Sequence, residues 1–335
     1  MYNNIMMMVL SALPYGFLIG ILSIGVYISY KIMNVPDLTV DGSFALGAAV
    51  NGICCLYGHP LLGLLLGFWA GVLAGTATGL LHTMLHVSAI LAGVLVQTAL
   101  ISVNVMLPLA FGDVTGKSTS FALNPRFGAQ TIFMKLSGVL GLQGAQNAKI
   151  LALVLLLLIV AALIAFLMLF FSTQLGLSIR ATGNNEEMVR ASSINTNKNK
   201  VISFALSNGI VGFGGALYVQ YLKSYAEGIG LGMLVTALAS IIIGETLFGN
   251  RRLFLGFLTV VAGSILYRVI YSFAIRGGGA NGIKLFSAVI VVLFIAFSVV
   301  RKRLAEKKER LAEERLSVQS DLPVRPEDSA GGDHA

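Results

Sequence analysis

A chain of 335 residues that is 56% hydrophobic and 11% charged, with mean hydropathy +0.84, falls outside the soluble globular range, where roughly 25% charged is usual. The net charge of +8 does not indicate a nucleic-acid partner: the segment 301–335 balances eight basic against eight acidic residues, so the excess lies in the apolar body and reads as membrane topology. Two adjacent cysteines, Cys54 and Cys55, and four scattered histidines exclude a disulfide framework and give no reason to expect a metal or other cofactor.

Taking about 20 apolar residues as a membrane span, nine candidates follow in order: 5–30, 41–57, 61–81, 87–109, 150–171, 201–222, 230–248, 253–275 and 283–300. All are expected to be helices, because hydrocarbon offers backbone groups no hydrogen-bond partner and no run alternates as barrel strands do. The fold class is therefore an all-α polytopic membrane protein of eight or nine transmembrane helices. Placing 172–200 and the C-terminal tail in the cytoplasm puts fourteen Lys and Arg on that side against seven on the other. The opening MYNNIMMMVLSALPYG has neither a basic n-region nor a small-residue cleavage site, so no removable signal peptide is expected.

Pro36 ends the first segment, and Asp37-Leu38-Thr39-Val40-Asp41-Gly42-Ser43 follows. Two acids entering an apolar run need water, a partner or a helix N-terminus. Either Asp41 caps the next helix, with Ser43 beside it, or the stretch is a broken helix lining the translocation route. The second candidate span is short and begins with charge, so it is also readable as a re-entrant segment. In the third span Gly63, Gly67, Gly71, Gly75 and Gly79 recur every four residues and leave one face without side chains, a surface for close helix packing. His82 and His86 end that span and read as interface polar residues, since no third metal ligand is near.

The mixed stretch 110–148 is expected to be an external loop with a short surface helix near Arg126–Lys135. Its Gly112-Asp113-Val114-Thr115-Gly116-Lys117-Ser118 mimics a phosphate-binding loop, but it has three residues between its glycines instead of four and no strand before it, so nucleotide binding is rejected. Between the fifth and sixth spans lies the longest polar interruption of the body, 172–200. Its centre reads as a short helix: Asn184 or Asn185 can cap it, and Glu186 and Glu187 sit in the first turn, where the helix dipole favours negative charge. Met188 and Arg190 follow. Further on, Asn208 lies in a glycine-rich span; Glu245 either pairs with Arg251 or Arg252 or takes part in gating; and Arg268 falls well inside a span, where it needs a partner or an aqueous cavity. Beyond 300, the segment 301–335 reads as a charged cytoplasmic helix with Glu-to-Lys/Arg pairs, followed by a disordered tail.

Several of these motifs occur together and in order: Pro36 to Phe44, Arg180-Ala181-Thr182-Gly183-Asn184-Asn185 with Met188 to Asn195, Leu206-Ser207-Asn208-Gly209, Ala239 to Glu245, and Leu266-Tyr267-Arg268. Over residues 10–300 the chain resembles the permease subunit of bacterial ABC importers, within the branched-chain amino acid and ribose permease superfamily. It is most similar to permeases encoded beside tryptophan- or tyrosine-type binding lipoproteins. One departure is Ser193, where such permeases usually carry glycine before Ile-Asn. The resemblance implies a multi-pass permease domain, 1–300, in a bacterial cytoplasmic membrane, not itself an enzyme. Two copies would work with two ATPase subunits, an extracytoplasmic substrate-binding protein and a small-molecule substrate. In such systems a cytoplasmic coupling helix docks on the ATPase, which assigns that role to Asn184, Asn185, Glu186, Glu187, Met188 and Arg190. The residues weighed for the translocation route or its gating are Asp37, Asp41, Ser43, Asn208, Glu245 and Arg268. An ion-coupled secondary transporter using Asp41, Glu245 and Arg268 is the alternative, and a purely structural scaffold a third reading.

Overall fold

A computed structural model describes residues 2–125, 128–141, 145–249 and 253–278, together with the isolated helical positions 289, 292 and 296. The chain divides into two units, 1–287 and 288–335, and the helices named below belong to the first. In order they are α1 (Tyr2–Tyr27), extended by a π-helical turn over Ile28–Ile32, α2 (Val40–Leu56), α3 (Pro60–Met84), α4 (Ala89–Ala110), α5 (Gly112–Thr115), α6 (Ile132–Val139), α7 (Ala145–Ser172), α8 (Gln174–Asn184), α9 (Glu186–Ala191), α10 (Thr196–Leu222), α11 (Met233–Phe248) and α12 (Leu253–Gly278). Two short strands, β1 (Phe121–Ala122) and β2 (Ser224–Tyr225), pair antiparallel. The protein is an all-α polytopic membrane protein. The ninth expected span, 283–300, lies outside the described residues apart from three isolated helical positions, and the charged segment 301–335 lies wholly outside them.

Six helices, α1, α3, α4, α7, α10 and α12, contain segments long and apolar enough to cross a bilayer. Their burial divides them: 83% of the apolar window of α1 is enclosed against 28% for α7, whose window has a mean hydropathy of 3.5. A helix this apolar and this exposed suits lipid, whereas α1 belongs to the middle of the bundle. Capping follows the local sequence. Pro60 opens α3 at a position that needs no N–H. Ser88 caps α4 by accepting from Leu91 N at 3.3 Å, and Asn195 caps α10 by accepting from Lys198 N at 3.0 Å.

The expected second and seventh spans become α2 and α11, of 17 and 16 residues, both short of a full crossing. Their placement explains this. After the π-helical turn, Asn34 takes a left-handed conformation (φ 57°), and residues 33–39 run without helix toward the middle of the bundle. Leu38 packs against Gly93, and Gly42 packs against Gln97 and Leu100, halfway along α4. From there α2 runs toward the face that holds Pro60 and α6, while α11 starts beside Asp41 and runs to the opposite face, where Glu245 meets Lys31.

The loop helix also differs from expectation. It begins at Ile132, not near Arg126, because the Thr131 hydroxyl caps it by accepting from Met134 N at 3.2 Å. Gln220 of α10 then accepts from Ile132 N at 2.9 Å, and Lys135 donates to the Gly58 carbonyl at 3.1 Å, so α6 is pinned to the bundle.

The glycine stripe of α3 lies against two helices. Gly67, Gly71, Gly75 and Gly79 face α10, where a Cβ would meet Ala216 at 2.9 Å, the carbonyls of Asn208 and Phe204, and Val201 Cα at 2.8 Å. Gly63 instead faces Cys54 and Asn51 of α2. The backbones of α3 and α10 thus touch without intervening side chains, which gains dispersion contacts that lipid does not replace. Gly71→Leu is expected to lower the yield of folded protein and its thermal midpoint, since overpacking alone costs on the order of 1–3 kcal/mol. A purified variant with wild-type yield and midpoint contradicts the seam.

Candidate functional site

The polar interruption 172–200 folds as two helices joined at a sharp corner. Thr173 caps α8 by accepting from Gly176 N at 3.2 Å. Asn184 ends α8 and Asn185, with extended backbone (φ −154°, ψ 98°), caps α9 by accepting from Met188 N at 3.0 Å. Of the two asparagines weighed as caps, Asn185 is the one that acts. In α9, Val189 is buried while Glu187, Met188 and Arg190 are exposed, so one edge anchors the helix and the other faces outward beside the exposed Asn184 and Asn185.

Glu186 differs from its neighbours. Its carboxylate accepts from Arg190 at 2.9 Å, from Lys200 at 2.8 Å and from the Thr196 hydroxyl at 3.2 Å, tying α9 to the first turn of α10. Asn199 adds a second tie by donating to Thr182 Oγ1 at 2.9 Å while accepting from the Ser178 hydroxyl at 3.2 Å, so α8 is bound to α10 as well. Ser193 holds φ 61°, the left-handed conformation that favours glycine. It is the conformation expected of the glycine that the resemblance implies, and here serine adopts it. Between this segment and the α3–α4 turn opens a cleft of about 780 Å³ lined by His82, His86, Arg190 and Lys200 among others. Each histidine meets a local carbonyl, His82 Nδ1 that of Val87 at 2.7 Å and His86 Nδ1 that of Met84 at 3.1 Å.

The residues weighed for the route do not form one cluster. Asp37 is buried, accepts from Thr39 N at 2.8 Å and from the side-chain amide of Asn208, and has no salt-bridge partner among the described residues. Thr39 and Thr78 share a hydrogen bond of 2.7 Å beside it, and Ser43 is buried with its hydroxyl unpartnered. Asp41 does cap a helix, but not its own. Its two carboxylate oxygens accept from Gly232 N at 3.0 Å and Leu234 N at 2.7 Å, the first N–H groups of α11. The residue preceding α11 is Gly232 (φ 82°), which has no side chain to offer, so the cap comes from α2. Glu245 pairs with Lys31 at 3.1 Å; Arg251 and Arg252 lie outside the described residues. Arg268 does not join Asp41 either. Its guanidinium lies 4.4 Å from the ring centre of Tyr15 and 4.8 Å from that of Tyr271, cation–π contacts that a desolvated setting makes worth about 2 kcal/mol.

Sequence reasoning missed Lys31, Thr78, Asn104 and Lys200. Lys200 has a local signal, since it follows a capping Asn195 by five residues in the turn that must pack on α9. The others act on residues distant in the chain.

With this geometry in hand, comparison places the chain. A family model described as "Branched-chain amino acid transport system / permease component" matches residues 8–298. The chain belongs to this permease family. The tyrosine transport system permease protein of Clostridioides difficile (strain R20291) is 31% identical over 290 residues, covering 86% of this chain and 90% of that one. An uncharacterized protein of Rickettsia prowazekii (strain Madrid E) is 26% identical over 309 residues, covering 89% and 99%. The ribose import permease protein of Escherichia coli (strain K12) is 28% identical over 134 residues, covering 39% and 40%. No solved structure gives a significant match.

Partial burial works against ionisation of Glu186, but the Lys200 hydrogen bond and charge, the Thr196 hydroxyl and the Arg190 charge outweigh it and hold the carboxyl below its ordinary value. A carboxyl so depressed stabilises the fold above its unfolded-state value, and the contribution is lost as pH falls through the folded value. Hydrogen exchange in α9, corrected for intrinsic rate, should therefore show steady protection at neutral pH and declining protection under acid. Glu186→Gln should flatten that dependence; a wild-type acid profile in the variant removes Glu186 from the anchor.

Proposed function

We propose that the chain is the membrane-spanning subunit of an ATP-driven importer in a bacterial cytoplasmic membrane, carrying an amino acid by alternating access. The observation that carries this reading is α9: a short helix capped by Asn185, anchored through Glu186 and Val189, and presenting Asn184, Asn185, Glu187, Met188 and Arg190 outward. A helix held at one edge and bare at the other is suited to dock in a groove of an ATPase subunit and to pass on its closure. Glu186 then belongs to the anchor rather than to the contact. The expected assembly is two copies of this chain, two ATPase subunits beneath α9, and a substrate-binding protein on the opposite face.

The substrate reading rests on the tyrosine transport system permease, which this chain matches over most of its length, and favours an amino acid with an aromatic side chain. The ribose permease matches over a much smaller share. A sugar would also need many hydrogen-bond partners along an apolar route. The alternative, an ion-coupled transporter working without an ATPase, is less favoured because Asp41, Glu245 and Arg268 do not form one cluster: each lies beside a different partner.

Glu187→Lys combined with Met188→Glu should leave the membrane body folded and reduce substrate-stimulated ATP hydrolysis by the complex at least about tenfold, as interfacial charge reversal does. Wild-type hydrolysis in that variant refutes the docking role. For the substrate, vesicles holding the full complex should take up labelled tyrosine in preference to leucine and ribose. Uptake of ribose without any amino acid contradicts the reading.

A further inference from the structure

A pocket of about 150 Å³ opens beside the junction of α2 and α11, lined by Asp41, Gln97, Asn104, Tyr225 and Glu227 with Gly228, Gly230 and Leu231 among others. Among these lining residues there is no Lys, Arg or His. Two carboxylates, two side-chain amides and the Tyr225 hydroxyl therefore supply its polar side chains, and the hydroxyl gives its proton to the Asn104 carbonyl.

Asn104 shows what the pocket lacks. It is 7% exposed, and its amide nitrogen donates to the Gly42 carbonyl at 3.1 Å. That bond fixes the amide orientation, because the opposite orientation would set two oxygens against each other. Asn104 lines the pocket, and its Oδ1, buried beneath the wall, has no hydrogen-bond partner. A buried acceptor left unpaired is unfavourable, so a donor that reached it would be bound with that gain. Asp41 adds to this. Each of its oxygens accepts one N–H from α11, and a carboxylate has about four lone-pair sites, so roughly half its capacity remains. Glu227 is exposed, with its backbone N–H held by the Ser120 hydroxyl at 2.9 Å, which keeps the loop in place at the pocket's edge. Tyr225 closes the inner wall: its ring stacks on Phe121 at 5.2 Å and its hydroxyl donates to the Asn104 carbonyl at 3.2 Å.

We infer that this pocket binds a primary ammonium group, with Asp41 and Glu227 supplying the opposite charge and Asn104 Oδ1 accepting one N–H. Three acceptors around one site match the three donors of an ammonium. The inference rests on the amino acid reading above and deepens it: the α-ammonium head is held here, while the side chain lies outside. The volume agrees, being below the roughly 300–1,000 Å³ that encloses a drug-sized ligand. A sugar has no charge to offer the two carboxylates, and an anion would be repelled by them.

The test is titration calorimetry on the full-length chain in lipid nanodiscs with three probes: L-tyrosine, tyramine and 3-(4-hydroxyphenyl)propionate. Tyramine lacks the carboxylate, and the propionate lacks the amine. L-tyrosine and tyramine should bind in competition, and the propionate should show no saturable binding. Glu227→Gln, which does not touch the α11 cap, should weaken tyramine severalfold. Asn104→Leu should weaken it about tenfold, the scale of one lost hydrogen bond to a charged group. Thermal midpoints of the variants separate lost binding from lost fold. Propionate binding equal to that of tyramine, no tyramine binding by the wild type, or tyramine affinity unchanged in both Glu227→Gln and Asn104→Leu overturns the inference. Uptake by the full complex is measured alongside. Tyrosine import together with any of those results sinks the pocket alone, whereas tyramine binding without import of any amino acid sinks the import reading and leaves the ammonium site standing.

Discussion

Backbone polar groups inside a bilayer must be satisfied by the protein itself, and the most demanding place in this molecule is where two helices begin near the middle of the bundle. Residues 33–39 arrive there without helix, and α2 and α11 start from that level toward opposite faces. Every free N–H at such a start needs an acceptor that hydrocarbon cannot supply. Two aspartates four residues apart supply much of it: Asp37 accepts from Thr39 N, and Asp41 accepts from Gly232 N and Leu234 N. The carboxylates of this stretch are thus explained first by backbone accounting. Because both helix starts present partial positive charge, the negative charge of Asp41 lies where two dipoles favour it.

Around that junction the bundle is held by close backbone approach more than by bulky interlocking. The α3–α10 seam is the longest case, and the same device recurs where Gly215 faces the Phe44 carbonyl and Gly244 faces that of Thr259. Such contacts leave little freedom for sliding, since any shift along the seam brings a side chain over a backbone atom. Rigid pairs of helices are consequently joined by softer polar ties, such as Lys31 with Glu245 and Glu186 with Lys200, near the bundle's end.

The long helices were legible in the sequence because apolar length is a local property. For α7 nothing more is needed, whereas α2 was half legible: its shortness and the charge at Asp41 signalled a break, and the structure shows where it falls, while α11 read as an ordinary span and proves too short for one. The partner of Asp41 was not legible, because it lies 191 residues away and its only local sign is a glycine in the place where a capping side chain belongs. Lys31 and Glu245, separated by 214 residues, are another such case. Asn185 as a cap was readable from composition, but the inward turn of Glu186 depends on Lys200 and Thr196 coming round after a left-handed Ser193, a tertiary matter. Asn104 stood in plain view as an amide within an apolar helix, and only the fold reveals that one of its two polar atoms is left without a partner.

α10 touches nearly every feature of interest. Its first turn holds Glu186 through Lys200, its middle carries Asn208 against Asp37, and Gln220 and the following β2 bear on α6 and β1. At 27 residues it is about 40 Å long. A helix of that length behaves as a strut: an axial displacement applied at Lys200 reaches Leu222 with little loss, provided the strut does not buckle. Buckling would be expected among Gly209, Gly212, Gly214 and Gly215, yet these are the positions clamped by α1, α2 and α3. The helix is therefore braced at the point where it would otherwise bend, and a load at one face of the membrane body is delivered to the other as translation rather than dissipated as flexure.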